Sequence, residues 1–377
     1  MRLTVSAAAV AAHFAFLAAA ACDDVAGGFA SLNGGTTGGL GGTEVVVNNL
    51  DDLRTYASAE GPHIIKVEGT ITVEPAGEEL EVTSDKTIIG IGDSAHIENG
   101  GFGIHGVSNV IIRNLRITNP GDPDESDHDC IQADGSTNIW IDHCLFDDPS
   151  GDGLVDLRMD TTLFTVSNNI FRNHDKTFGI GWTDNVVAEG TIHHNWFDGT
   201  NQRNPSADNL LHAHFYNNYL TGVTSYGHYA RGNTNARIEN VYFVDTADPI
   251  TADESATLTS TGIIVEGDSG EPAADQGEAF LPSDFYEYTL DPTEDVPSLV
   301  EGGAGPRADL SRLLDHLQHF HGPTSSTQHT TVSRPGKLTS PLTPIPSNIG
   351  RANITAAKTS ALQTKLLRAK MLDEWRG

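Results

Sequence analysis

NVIIRNLRI at 109–117, NIWIDHCLF at 138–146, LFTVSNNIF at 163–171, GTIHHNWF at 190–197, HAHFYNNYL at 212–220 and NARIENVYF at 235–243 are six versions of one phrase. Aligned on the residue two before the last apolar one, they place Leu115, Cys144, Asn169, Asn195, Asn218 and Val241 in register, at steps of 29, 25, 26, 23 and 23. Self-similarity at a period of roughly 20–50 residues marks a stacked array. Each unit is short, alternating and β-branched, with Gly, Asn and Asp between units, the pattern of strands and turns. The expected fold class is therefore all-β: a parallel β-helix, a solenoid with one coil per repeat. Stacking would lay Asn169, Asn195 and Asn218 on one another at an interior bend as an amide ladder. Phe146, Phe171, Phe197, Leu220 and Phe243 would form an apolar stack beside it.

Charged residues crowd the same part of the chain. DHDCIQ at 127–132 is followed by DGLVDLR at 152–158, HDKTFGIG at 174–181 and NQRNPSAD at 201–208. Singly, each Asp in such Gly-rich runs is a turn residue. As a set they are not so easily dismissed. Asp129 and Asp156 are 27 apart, about one coil, and Asp127 and Asp152 are close to them in sequence. Adjacent strands lie about 4.8 Å apart, so Asp129 and Asp156 could share a cation. Oxygen donors without a His/Cys set favour Ca2+ over zinc. Arg203 lies 47 beyond Asp156, about two coils, and Arg231 a further 28 on. Arg158, two after Asp156, alternates onto the same face.

The 377 residues carry 22 Lys and Arg against 51 Asp and Glu, a net charge of −29. That balance argues against a nucleic-acid partner. An anionic ligand remains compatible with it, provided cations reverse the sign locally. Residues 1–21 have the pattern of a secretory signal peptide: Arg2, an Ala-rich apolar run, then Ala19-Ala20-Ala21. The run is too short for a membrane span. Cys22 after small residues leaves a lipid anchor as the alternative to simple secretion. Residues 22–43 form a Gly-rich leader, expected to be a flexible lead into the first coil. A capping helix is expected at 50–59 with Asn49 as its N-cap, closing the open end of the solenoid. The β-helix domain is expected over 44–307, with 251–306 as wrapping loops. Residues 308–377 form a basic, Pro/Ser/Thr-rich tail with a possible terminal helix. Cys130 and Cys144 could pair in an oxidising compartment, or Cys144 could simply fill a ladder position.

NIWIDH at 138–143 resembles the vWiDH signature of the pectate lyases of polysaccharide lyase family 1, and NQRNP at 201–205 resembles the start of the RxPxxR signature of that family. KTIIG at 86–90 and HDKT at 174–177 extend the resemblance, which covers about residues 40–307. It implies a right-handed parallel β-helix with a groove on one outer face, secreted and monomeric, and acting on de-esterified polygalacturonate by Ca2+-assisted β-elimination. It further implies Asp129, Asp152 and Asp156 as the main calcium ligands with Asp127 as another. Lys176, Arg158 and Arg231 would bind substrate, and Arg203 would be the base. Against this pattern, the second Arg of RxPxxR falls at Asp208, and an anionic side chain there cannot clamp a uronate. His143, His193 and His194 are read as structural. Two rivals stay open: a polygalacturonase-like hydrolase on the same fold, using two carboxylates as acid and base, and a β-helix that binds uronate without cleaving it.

Overall fold

A computed structural model describes residues 25–121, 127–147 and 151–310. The expected signal peptide, Cys22 and the expected tail helix all lie outside the described residues. Three parallel sheets of ten, eight and nine strands run the length of the molecule, each strand pairing with its equivalent one coil away. This is the expected parallel β-helix. Each repeated phrase supplies one strand of the ten-stranded sheet, a bend, and one strand of the nine-stranded sheet. In NIWIDHCLF these are Thr137–Asp142 and Leu145–Phe146. At the bend one residue takes a left-handed backbone: Asn114, His143, Asn168, His194, Asn217 and Asn240 all have φ between 49° and 59°. Asn tolerates that region better than most side chains, which accounts for its recurrence.

The ladder forms beside these bends. Asn169 Nδ2 donates to Asn195 Oδ1 at 3.0 Å, and Asn195 Nδ2 to Asn218 Oδ1 at 3.1 Å. The Cys144 N–H caps it, donating to Asn169 Oδ1 at 2.8 Å. All four residues are fully buried. Two residues on, the rings of Phe146 and Phe171 stack at 5.1 Å between centroids, and those of Phe171 and Phe197 at 4.9 Å. Each aromatic pair adds about 0.5–1.5 kcal/mol beyond the area it buries. Cys130 and Cys144 are buried thiols, not a disulfide. Cys144 Sγ lies near the Asp142 carbonyl oxygen and Cys130 Sγ near that of Ile117.

The capping helix spans Leu50–Ala57, and Asn49 Oδ1 accepts the Asp52 N–H at 3.0 Å. Leu53 and Ala57 enter the core. The Gly-rich leader differs from its expectation: the described part is a packed strap across the ten-stranded sheet. Phe29 and Ala30 are fully buried, and their N–H groups donate to Thr191 Oγ1 and Thr165 Oγ1. Thr37 and Gly38 both donate to Asn109 Oδ1 at 2.7 Å. Glycine is required here by close approach, since a Cβ on Gly39 would lie 1.9 Å from the His63 carbonyl oxygen. The segment at 251–306 is likewise more than loops. Asp248–Ala252, Thr257–Thr261 and Ile264–Glu266 complete a further coil. Beyond them Tyr286 crosses the ten-stranded sheet, its hydroxyl bonded to Thr191 and His214. The helix Val296–Gly303 then covers Tyr219 on the nine-stranded sheet.

Candidate active site

The eight-stranded sheet gathers the charged residues. Asp129–Asp134, Gly153–Arg158, Lys176–Gly181, Ser206–Asp208 and Tyr226–Arg231 are consecutive neighbours in it. Alternation sends Ile131, Ala133, Val155, Leu157, Phe178 and Ile180 into the core and turns Gln132, Asp156 and Arg158 outward. Across the strands, Asp129, Gly153 and Lys176 form one row, Gln132, Asp156, Gly179 and Ser206 a second, and Asp134, Arg158 and Gly181 a third. Asp129 and Asp156 thus stand on adjacent strands, three positions apart. The coil between them is 24 residues (Asp129 to Gly153), shorter than the 27 that separates the two carboxylates.

The two carboxylates are buried, at 1% exposure for Asp129 and 5% for Asp156. Asp129 Oδ1 has no hydrogen-bond partner among the described residues. Asp156 Oδ1 accepts the Gly179 N–H at 3.1 Å. Burial pushes the Asp129 carboxyl up to about 7, with the charges of Asp127 and Asp152 adding to the rise and Arg158 opposing it. Burial, reinforced by Asp129, pushes Asp156 well above the carboxylate range. The other two predicted ligands are turned onto cations. Asp152 Oδ1 accepts from Lys176 Nζ at 2.5 Å. Burial alone would raise its pKa, but the Lys176 bond and charge outweigh it, and the carboxyl sits below its usual value. Asp127 Oδ1 accepts from an Arg158 terminal nitrogen at 2.6 Å, and Arg158 Nε donates to Asp134 Oδ1 at 3.0 Å. With these pairings, no three His, Cys, Asp or Glu side chains among the described residues converge as a ready metal cage.

Arg203 leaves the strands at φ 62°, its carbonyl accepting the Phe178 N–H and its guanidinium lying 5.1 Å from the Trp182 ring centroid. Its charge is felt at both Asp152 and Asp156. Arg231 packs over Tyr229 at 5.4 Å, directly opposite Asp208. Burial raises Asp208 despite Arg231. Several residues at this face escaped the sequence reading. Trp182 follows the HDKTFGIG run immediately, and its aromatic character was the available signal. A Cβ on Gly179 would fall 1.9 Å from its ring. Glu79 carries no such signal, standing 50 residues before Asp129, whose N–H it accepts at 2.9 Å. Burial raises Glu79 to about 8. The WIDH motif lies elsewhere, on the ten-stranded sheet. Asp142 accepts there from Arg113 Nε at 2.8 Å and Ser167 Oγ at 2.7 Å and pairs with His143 Nδ1 at 2.6 Å, a structural role for His143. A cavity lined by Thr70, His96, Arg116 and Ile170 sits on the nine-stranded sheet, away from the acidic face.

The donor set suits a hard divalent cation. Asp129 and Asp156 repel each other when both ionise, and Asp129 offers a buried oxygen with nothing bound to it. A cation between the two strands would meet both demands, with Lys176 and Arg203 on the strand side beyond.

A family model described as pectate lyase matches residues 3–296. A pectate trisaccharide-lyase of Thermotoga sp. (strain RQ2) is 36% identical, over 76% of this chain and 90% of that one. Pectate lyase plyB of Emericella nidulans is 34% identical, over 74% and 88%. Among solved structures, a pectate lyase from Bacillus sp. N165 in complex with trigalacturonate superposes with a TM-score of 0.64 at 27% identity, covering 74% of this chain and 98% of that one. With matches on this scale in sequence and fold, the chain belongs to the pectate lyase family.

Proposed function

We propose that this pectate lyase cleaves de-esterified polygalacturonate by calcium-assisted β-elimination, releasing 4,5-unsaturated oligogalacturonates. The observation that carries the reading is the buried Asp129–Asp156 pair, with its unpartnered Oδ1, set beside Lys176 and Arg203. Asp129 and Asp156, joined by Asp152 and Asp127, are the residues that would hold Ca2+. When bound, calcium supplies positive charge at the substrate carboxylate and so acidifies the proton on carbon five. Lys176, 40% exposed, exchanges its bond to Asp152 for one to the same carboxylate. Arg203, in its neutral form, takes the carbon-five proton. The electron pair forms the C4–C5 double bond, the C4–O4 bond breaks, and the departing O4 takes a proton from water. Arginine is protonated at ordinary pH, so this role requires an alkaline optimum. Arg158 acts through Asp127 and Asp134, and Arg231 grips a further uronate beside Asp208.

Secretion by the N-terminal segment brings the enzyme to cell-wall polysaccharide, where it works as a monomer. Among described residues no helix is long and apolar enough to cross a membrane. The test is ultraviolet absorbance of the unsaturated uronate on polygalacturonate at alkaline pH, with calcium and then with excess chelator. A rise that chelator abolishes is expected. New reducing ends without absorbance would mean hydrolysis and overturn the roles of Lys176 and Arg203. Four relatives, from Thermotoga and Bacillus licheniformis, are named pectate trisaccharide-lyases, so trisaccharide is the product to look for by chromatography.

A further inference from the structure

Asp129 begins its strand where the sheet opens. On one side it is in register with Gly153. On the other, pairing with the Gly101–His105 strand starts only at Ile131 opposite Phe102. The Asp129 N–H is taken instead by a side chain, Glu79 Oε1 at 2.9 Å. Glu79 stands one strand further out, in register with Gly101. The intervening strand presents Gly101 and Gly103 there, and a Cβ on Gly101 would lie 2.3 Å from the Asp129 carbonyl oxygen. Glycine at 101 thus lets the Asp129 main chain approach this strand closely, and Glu79 reaches across it to the Asp129 N–H. The Asp129 carbonyl is held as well, by Asn119 Nδ2 at 2.8 Å. Pinned at both main-chain groups, Asp129 lays Oδ1 over Gly153, where an added Cβ would lie 2.3 Å from it.

We propose that Glu79 is the positioning residue of the cation centre: by holding the Asp129 N–H from a strand away, it fixes the main chain that aims Oδ1 between the Asp129–Asp134 and Gly153–Arg158 strands. Supporting groups behind a metal ligand typically govern affinity by about 10–100-fold. The inference rests on the cation reading above and adds to it a residue that never touches the substrate.

Three variants of the full chain separate the hydrogen bond from the carboxyl group. Glu79→Gln keeps an oxygen acceptor of the same reach. Glu79→Leu removes the acceptor, and Glu79→Asp keeps the carboxyl but shortens the reach. Calcium titration by calorimetry on chelator-stripped protein is expected to give a Kd for the Gln variant within about threefold of wild type, and Kd values for the Leu and Asp variants raised about 10–100-fold. Excess calcium should restore turnover in both, and the melting temperature in chelator reports folding independently. Leu or Asp variants that bind like wild type would overturn the proposal, as would a Gln variant as weak as Leu. Should the Leu variant fail to fold, the Gln and Asp pair decides the matter. A wild-type chain that takes up no calcium overturns the cation reading and Glu79's part with it. A wild type that binds beside indifferent variants overturns Glu79's part alone.

Discussion

The surroundings of Asp129 oppose its ionisation. Its carboxyl is raised to about 7 in the fold, against about 3.9 in an unfolded chain. Between those two values the native state holds a proton that the unfolded state has released, so stability falls as pH rises through this window. On the proposed reading, calcium would reverse the trend by binding the ionised form. Asp129→Asn removes the titration. In chelator, the melting temperature of the variant relative to wild type should therefore climb as pH is raised from about 4 to about 8. Each kcal/mol gained reads as roughly 2–4 °C. With calcium present the order should invert, because only wild type gains the ligand. A difference that stays constant with pH in chelator would remove Asp129 as a strained carboxylate. Arg203 makes a different prediction. Its replacement by Lys keeps a cation in reach of Asp152 and Asp156 but changes its basicity and geometry. Turnover should drop about 10²–10⁴-fold, the range of general acid–base contributions, with calcium affinity near wild type. A parallel loss of calcium binding would make Arg203 a structural cation rather than the base.

The strands and bends explain why some of this was legible in the sequence. Repeats on the ten- and nine-stranded sheets share one phrase because the interior stacks like on like: Asn on Asn, Phe on Phe. The eight-stranded sheet obeys no such rule. Its charged row lies outside the interior stacks, so nothing keeps Asp129, Gly153 and Lys176 alike from coil to coil. Counting residues placed Asp156 on the strand beside Asp129 but not three positions along it, since coil length is set at the turns. Glu79 and the strap through Phe29 were illegible for a related reason. Their partners, Asp129 and Thr191, are 50 and 162 residues away, with no motif to join them. Glycine is as common in packed straps as in loose leaders. The interior stack yields a direct test. Asn195→Ala deletes the middle rung and leaves the Asn169 N–H without its acceptor, while Asn169 Nδ2 keeps only its bond to the Ile141 carbonyl oxygen. Each buried group so orphaned costs about 1–3 kcal/mol, and the variant should lose several degrees of melting temperature, with calcium affinity unaltered. A variant as stable as wild type would mean the ladder follows the coil rather than holding it.

Over the whole molecule two electrostatic scales oppose each other. The chain carries −29, and a polygalacturonate chain approaching it is anionic along its length, so the long-range field repels substrate. On the proposed mechanism, capture depends on Lys176, Arg203, Arg231 and calcium acting over a few ångströms at one face. Salt separates the two, because the Debye length shrinks from about 30 Å at 0.01 M to about 10 Å at 0.1 M. Over that interval repulsion from the distant body is screened while contacts at the acidic face are largely spared. On a short oligogalacturonate at fixed free calcium, KM should therefore fall as ionic strength rises from about 0.01 to 0.1 M, with kcat nearly constant. At about 1 M, where the screening length is about 3 Å, the contacts themselves weaken and KM should rise again. A KM that climbs from the lowest salt onward would show that the local cations dominate at every distance and that the acidic body exerts no field at the eight-stranded sheet. The expected minimum would mean that the fold confines its attraction for an acidic polymer to the one face where the chemistry is done.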